Sequence, residues 1–162
     1  MRAGIGFDTH RLEAGRRLVL GGVEIEDAEL GLAGHSDADV LTHAVIDALL
    51  GAAGLGDIGQ HFPDTDERWR DANSLDLLRG AGSLLSEAGY AISNIDATVA
   101  CEAPKLSPLR DEMRMRLAAA AGVEPDAVNV KFTTGERMGF VGRGEGIAAL
   151  AIATVVARSS AG

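Results

Sequence analysis

The sequence predicts a two-layer fold of the α/β or α+β class, a mostly four-stranded sheet covered on one face by helices. Three observations lead there. Runs that read as strands are interleaved with runs of helical period, the order expected of a helix layer on a sheet. The chain has 162 residues, 46% of them hydrophobic, enough to bury a real core in one domain. No repeat, charge block or Pro/Ser-rich linker divides it, so residues 1–162 are read as a single domain. The longest apolar run, IAALAIATVVA at 147–157, is too short to span a bilayer.

The elements follow in order. Residues 2–10 read as a strand, and RRLVLGGVEI (16–25) as a hairpin or bend through Gly21-Gly22. SDADVLTHAVIDALLGAAG then reads as a helix, with Ser36 as N-cap and Asp39 three residues on in a variant of the capping box. Val40, Leu41, Ala44, Val45, Ala48 and Leu49 form one apolar arc, and Gly51 and Gly54 end it. A second helix is expected from Asn73 to about Ala88, turning Leu75, Leu78, Leu84 and Leu85 inward. A strand over 90–102 follows. Pro104 and Pro108 lead into a helix of about 107–121, closed by Gly122. AVNVKFTT (127–134) is a strand, then comes a glycine-rich loop and a last strand over 145–157.

Charge and cysteine usage narrow the function classes. Fifteen basic against twenty-four acidic side chains leave a net charge of −9, which argues against a nucleic-acid partner, since that would want a basic face. An anionic ligand would have to be met locally, by metals, backbone N–H groups or a few placed cations. The single cysteine, Cys101, allows no internal disulfide and no CxxC site. The segment of interest begins at Gly4, leaving no room ahead of it for a signal peptide, so a cytoplasmic chain with no membrane segment is expected. Glycine is abundant, 21 residues against a usual roughly 7% of a chain. Its clusters at 51–59 and 139–146 read as tight loop geometry.

The chemistry-bearing residues begin with GIGFDTHRL (4–12). In a strand, Asp8 and His10 face the same way with Cα atoms roughly 6.5–7 Å apart, close enough to grip one ion. His43, on the flank of the first helix with Ser36, Asp39 and Asp47, is a third candidate ligand. Asp47, one turn on, is placed to hold the second nitrogen of that imidazole. Two histidines and a carboxylate with a fourth position open form a catalytic zinc pattern. Taken alone, an Asp-x-His is more often surface polarity or a capped turn, and a helix histidine is more often half-buried packing. His35-Ser36 stands at the expected N-terminus of the same helix, where free N–H groups favour a phosphate; capping by Ser36 is the plainer reading. GLGDIG (54–59) matches G-x-G-x-x-G but follows a helix, so it is not a dinucleotide fingerprint. FPDTD (62–66) reads as an acidic turn. KFTTGERMGFVGRGEG (131–146) ends a strand in Thr133 and Thr134, then gives Gly135, Glu136 and a loop with Arg143. Hydroxyls, loop amides and a carboxylate suit a diphosphate bridged by Mg²⁺, and a β-turn with an incidental Arg suits the segment equally.

GFDTHRL, GGVEI, HSDADVLTHAVIDALLGAAGLGDIGQHFPDTD, APK and TTGERMGFVGRGEG, in this order and across essentially the whole chain, resemble the 2-C-methyl-D-erythritol 2,4-cyclodiphosphate synthases of the non-mevalonate isoprenoid pathway. The resemblance implies a homotrimer whose sheets face the threefold axis and whose active sites lie between subunits. It implies a Zn²⁺-type ion (or Mn²⁺) on Asp8, His10 and His43. It also implies Mg²⁺ (or Mn²⁺) on the diphosphate through Glu136. His35 and Thr134 would align and stabilise the transferring phosphate. Asp8, Thr9, His10, His35 and Ser36, then Asp57, Ile58 and Gly59, with Phe62, Pro63, Asp64, Thr65 and Asp66, would line the site, the later ones on the erythritol phosphate. Cys101, Glu102, Ala103, Pro104, Lys105, Leu106 and Ser107 would hold cytidine, with Lys105 near the phosphates. Thr133, Thr134, Gly135 and Glu136 would take the diphosphate, and Phe140 and Arg143 would sit toward the threefold axis. Two departures stand out: Gly135 where Thr or Asn is common, leaving only its N–H, and Cys101-Glu102 where small or amide residues are expected.

The substrate implied is 4-diphosphocytidyl-2-C-methyl-D-erythritol 2-phosphate, cyclised with loss of CMP. Two rivals remain. One is a metal-dependent phosphohydrolase using the same trio to activate water; the other is a non-catalytic nucleotide or isoprenoid binder.

Overall fold

The structure, a computed structural model, describes residues 1–158. Strand β1 (Arg2–Ala14) is followed by a small hairpin, β2 (Val19–Leu20) and β3 (Val23–Glu24), and by β4 (Leu30–Leu32). Helix α1 (Val40–Ala53), the short α2 (Ile58–His61) and α3 (Ser74–Glu87) come next. Then β5 (Tyr90–Ala100), α4 (Arg110–Ala121), β6 (Val128–Thr133), the one-turn α5 (Gly139–Gly142) and β7 (Gly146–Ala157) complete the order. One sheet runs β4-β1-β7-β5-β6, with only β5 and β6 parallel. The expected two-layer α+β architecture is present. The sheet has five strands where four were expected, because the three-residue β4 extends its edge beside Leu12–Ala14 of β1.

The core lies between the sheet and α1, α3 and α4, with Leu41, Leu49, Leu78, Leu117, Ile95 and Val155 all at 1% exposure or less. Alternation along β1 and β7 sorts the side chains. The odd-numbered residues 147–155 of β7 face the helices, while Leu150 and Ile152 face away. Ile5 sits opposite Ile152 and Phe7 opposite Leu150 in the register. All four are exposed, forming an apolar band on the face that no helix covers.

Where α1 crosses β1, the two backbones nearly touch. A Cβ at Gly6 would lie 2.0 Å from the carbonyl oxygen of Ala44, and one at Gly4 would lie 2.2 Å from that of Ala48. Gly4, Gly6, Asp8 and His10 share the helix-facing side of β1, so the glycines lower α1 onto the strand and the next two positions meet its first turns.

The first helix starts later than expected. Its N-cap is Asp39, which accepts from the Thr42 N–H at 3.0 Å and the Thr42 hydroxyl at 2.7 Å. The same carboxylate accepts from the amides of Gly21 and Gly22 at 2.9 and 2.7 Å. Asp39 is thus fully buried yet satisfied at both oxygens, and it ties the hairpin turn to α1. Local spacing favoured Ser36; the Gly21-Gly22 amides, distant in sequence, decide for Asp39. Gly51 remains helical, and Gly54 closes the helix at φ 74°. The other two helices match their expected spans closely: Asn73 caps α3 through the Leu75 N–H at 2.9 Å, and Gly122 ends α4 at φ 70°.

Gly6→Ala should lower stability by at least the ~1–3 kcal/mol of an overpacked core, read from the urea midpoint. Gly51→Ala, helical and with nothing nearer than 3.9 Å, should raise it by up to about 1 kcal/mol. Equal midpoints for Gly6→Ala and the parent would show that the close crossing is not needed.

Candidate metal centre and substrate cavities

The crossing of α1 over β1 sets His43, one residue before Ala44, beside Asp8 and His10. Asp8 Oδ2 lies 3.0 Å from His10 Nε2 and 3.1 Å from His43 Nδ1, and the two nitrogens are 3.3 Å apart. Among the described residues this is the one group of three or more His, Cys, Asp or Glu side chains that could hold a metal ion.

The partners on the far side of each ligand define which atom is offered. His10 Nδ1 lies 2.7 Å from the Ala33 carbonyl oxygen, which only accepts, so Nδ1 carries the proton and Nε2 is the free donor atom. Asp8 Oδ1 accepts from the Thr9 amide at 2.8 Å, leaving Oδ2 turned inward. His43 Nε2 meets Ser74 Oγ at 2.9 Å and Ser36 Oγ at 3.2 Å. Three electron-pair donors therefore converge, and either a proton or a cation must lie between them. A tetrahedral ion with bonds of about 2.0–2.1 Å keeps its ligand atoms about 3.3 Å apart, close to the separations found. The donor set fits a divalent metal.

Without a cation the electrostatics express the shared proton. Burial works against charge on Asp8, but hydrogen bonds from both imidazoles and their attraction outweigh it and hold its carboxyl well below the usual range. Burial likewise disfavours a charged His10, yet the bond to Asp8, its charge and the Ala33 carbonyl raise His10 above its ordinary value.

Asp47 does not hold His43. Its Oδ1 accepts the Ile58 amide at 2.8 Å, and burial, then the neighbouring Asp57 and Asp8, outweigh that bond and raise its pKa. The buried hydroxyls of Ser36 and Ser74 fill the role instead. His35 and Ser36 also stand outside the helix. They lie in a bent connection held against 71–72, where the Asp71 N–H donates to His35 O at 2.9 Å and the Asp37 N–H to Ala72 O at 3.1 Å. The helix N-terminus lies instead at Asp39, whose side chain accepts from the Thr42 amide, so His35 and Ser36 do not stand at it.

A cavity of about 400 Å³ opens beside the trio, reached by His10 and His43 but not lined by Asp8 or Thr9. His10, His35, Ser36 and His43 line it, with Ile58, Gly59, Phe62, Pro63 and Asp64 on the opposite wall. Asp57, Thr65 and Asp66 do not. Asp57 caps α2 through the Gln60 N–H, and Asp66 caps the turn Glu67–Trp69 and pairs with Arg68. Trp69, which the sequence did not single out, also lines the cavity and packs edge-on against Phe62 at 5.2 Å.

A second cavity of about 450 Å³ gathers the other predicted set: Cys101, Glu102, Pro104, Lys105, Leu106 and Ser107 on one side, Thr133 and Thr134 on the other. Ala103, Gly135 and Glu136 are outside its lining. Burial pushes the Cys101 thiol up to about 11, so it stays a thiol. Thr134 Oγ1 donates to Glu136 Oε1 at 2.7 Å. The Gly135 N–H, which the missing side chain leaves as that position's only donor, is already taken by Glu102 Oε2 at 2.9 Å. A Cβ at Gly135 would come 2.4 Å from the Gly142 amide, so the loop folds tightly against α5. Phe140 is exposed and Arg143 pairs with Glu145 at 2.8 Å; neither reaches these two cavities.

The YgbB family model matches residues 1–156. The chain belongs to the YgbB family. A 2-C-methyl-D-erythritol 2,4-cyclodiphosphate synthase of Symbiobacterium thermophilum is 60% identical, over 98% of this chain and 100% of that protein. The bifunctional enzyme IspD/IspF of an Anaeromyxobacter species is 61% identical over 94% of this chain, which spans 39% of that longer relative. The solved IspF of Plasmodium falciparum in complex with CDP superposes with a TM-score of 0.85 at 30% identity, covering 98% of this chain and 97% of that one. A YgbB-family fold and an Asp/His/His centre thus coincide in one chain.

Opposite pH trends should separate the stripped and loaded forms. In the metal-free chain the His10–Asp8 pairing is fully present below the ordinary histidine value of 6.5 and is lost as pH rises through the raised value. Its stability should therefore fall as pH climbs above the ordinary histidine value. With Zn²⁺ bound, ligands must be unprotonated, so stability should climb over the same range. Thermal melts from pH 6 to 8 with and without chelator check this; parallel trends would refute the assignment.

Proposed function

We propose that this chain converts 4-diphosphocytidyl-2-C-methyl-D-erythritol 2-phosphate to 2-C-methyl-D-erythritol 2,4-cyclodiphosphate and CMP, in the non-mevalonate isoprenoid pathway. The observation that carries the reading is the convergence of Asp8, His10 and His43 beside a cavity lined by His35, in a chain about 60% identical to named synthases over their full length. The phosphohydrolase and pure-binder readings have no comparable support.

In the reaction the 2-phosphate oxygen attacks the β-phosphorus, that P–O bond closes an eight-membered ring, and the bond from the β-phosphorus to the bridging oxygen breaks to release CMP. The nucleophile is already an anion, so no strong base is required; catalysis is positioning and charge neutralisation. A divalent ion on Asp8, His10 and His43, Zn²⁺ or Mn²⁺, would draw electron density from a phosphate oxygen, and Mg²⁺ or Mn²⁺ near Glu136 would offset charge on the diphosphate. His35, on the cavity wall, would hold the transferring phosphate, with Thr134 aligning it from the other side. Ile58, Gly59 and the 62–66 loop contact the erythritol phosphate, with Asp57 and Thr9 at its margin. Residues 101–107 hold cytidine, Lys105 neutralises phosphate charge, and Thr133 to Glu136 take the diphosphate once Glu102 releases the Gly135 amide.

A homotrimer with one domain per chain completes the reading. The two cavities share no lining residue, which supports a site assembled from neighbouring subunits. The exposed band of Ile5, Phe7, Leu150 and Ile152 supports sheets that face one another around a threefold axis, with Phe140 and Arg143 near it. No described helix is long and apolar enough to cross a membrane, and the net charge of −9 speaks against nucleic acid; a cytoplasmic enzyme is the consistent placement.

Phosphorus NMR of the cytidylated substrate with protein, Zn²⁺ and Mg²⁺ should show a cyclic diphosphate and CMP. His35→Ala should slow its appearance by about 10²-fold or more. Open-chain phosphates in place of the ring would favour hydrolysis and defeat the proposal.

A further inference from the structure

His10 and His43 are held from behind in different ways. Behind His10 stands a backbone carbonyl, which no substitution removes. Behind His43 stands Ser74, whose hydroxyl is within 2.9 Å of Nε2 in a residue with no exposure at all. Ser74 has one hydroxyl hydrogen, and Asp37 takes it: Ser74 Oγ donates to Asp37 Oδ1, while the Ser74 amide donates to Asp37 Oδ2 at 3.0 Å. Asp37 Oδ1 also accepts from the Asp39 amide at 3.3 Å. With its hydrogen committed, Ser74 Oγ can only accept from His43. The proton on the imidazole is therefore drawn to Nε2, and Nδ1 is the atom left bare toward Asp8 and His10. Ser36 Oγ, 3.2 Å from the same nitrogen, accepts from the Ala38 amide and offers a weaker second acceptor.

We propose that Asp37 and Ser74 are positioning residues of the metal centre, a relay that fixes which nitrogen of His43 is offered to the cation. The inference rests on reading Asp8, His10 and His43 as a cation site, and it assigns a task to two side chains that touch neither cavity substrate nor metal. It also explains why the segment 35–37 is clamped to 71–74: the clamp that carries His35 also aims His43.

The relay has a polarity, which makes it testable without turnover. In Asp37→Asn the Ser74 amide still needs an acceptor, so the new amide turns its oxygen there and presents its NH2 to Ser74 Oγ. The hydroxyl hydrogen is then free to point at His43 Nε2, which favours the ring with Nδ1 protonated and the wrong nitrogen bare. Ser74→Ala merely leaves Ser36 as acceptor. Zinc affinity, measured by competition with a chromophoric chelator, should therefore drop about 10–100-fold in Asp37→Asn, and by less in Ser74→Ala. A purely structural role predicts the reverse order, since Ser74→Ala strands a carboxylate while Asp37→Asn is isosteric. Zinc binding by Asp37→Asn within twofold of the parent, or a larger loss in Ser74→Ala, would overturn the proposal. Should the variants fail to fold, ¹⁵N-histidine NMR of the zinc-loaded parent still decides. The relay requires coordination of His43 through Nδ1 with an Nε2 proton protected from exchange. Coordination through Nε2, or a freely exchanging proton, overturns it. Neither readout uses substrate, so a failure to cyclise would count against the proposed reaction alone.

Discussion

The site depends on one close approach. Two glycines on β1 let the backbone of α1 come nearly into contact with the strand, and the distances from His43 to Asp8 and His10 follow from that crossing. A methyl group at Gly6 would lift the helix by more than the margin a metal site tolerates, since ligand bonds are defined to within a few tenths of an ångström. Packing and chemistry are thus one constraint here. The strand alternation that hides Gly4 and Gly6 beneath the helix also aims Asp8 and His10 at its first turns.

An acidic chain that handles a polyanion needs its positive charge to be local. Within the described residues the two cavities supply few cations, chiefly Lys105 and the imidazoles. Glu102 and Glu136 stand among the groups expected to meet phosphate. The Glu102 carboxylate on the Gly135 amide occupies an anion's place. A diphosphate bound there would have to displace it or share that donor through a cation.

Much of this was legible in the sequence, and the reasons are physical. Asp8 and His10 could be read because a strand has a period of two and both residues lie within three positions of one another. The three longer helices and four long strands could be read because their periods and end signals are local: Asn73 and Gly122 do what their neighbours alone would suggest. The misreadings share the opposite property. In SDAD several residues can cap a helix, and the choice falls to Asp39 because the Gly21-Gly22 turn brings it two extra amides. Asp47 was one turn from His43 and so looked like its partner, whereas Ser74 arrives from a different helix, 31 residues away. β4 was too short to carry a pattern. Contacts made across the fold leave no trace in spacing.

The most direct test of the account is where a metal sits. In crystals of the protein grown with Zn²⁺, anomalous scattering at the zinc edge should place one ion per chain at about 2.0–2.2 Å from Asp8 Oδ2, His10 Nε2 and His43 Nδ1. A full-occupancy ion elsewhere, with those three atoms still bare and hydrogen-bonded to each other, would contradict it.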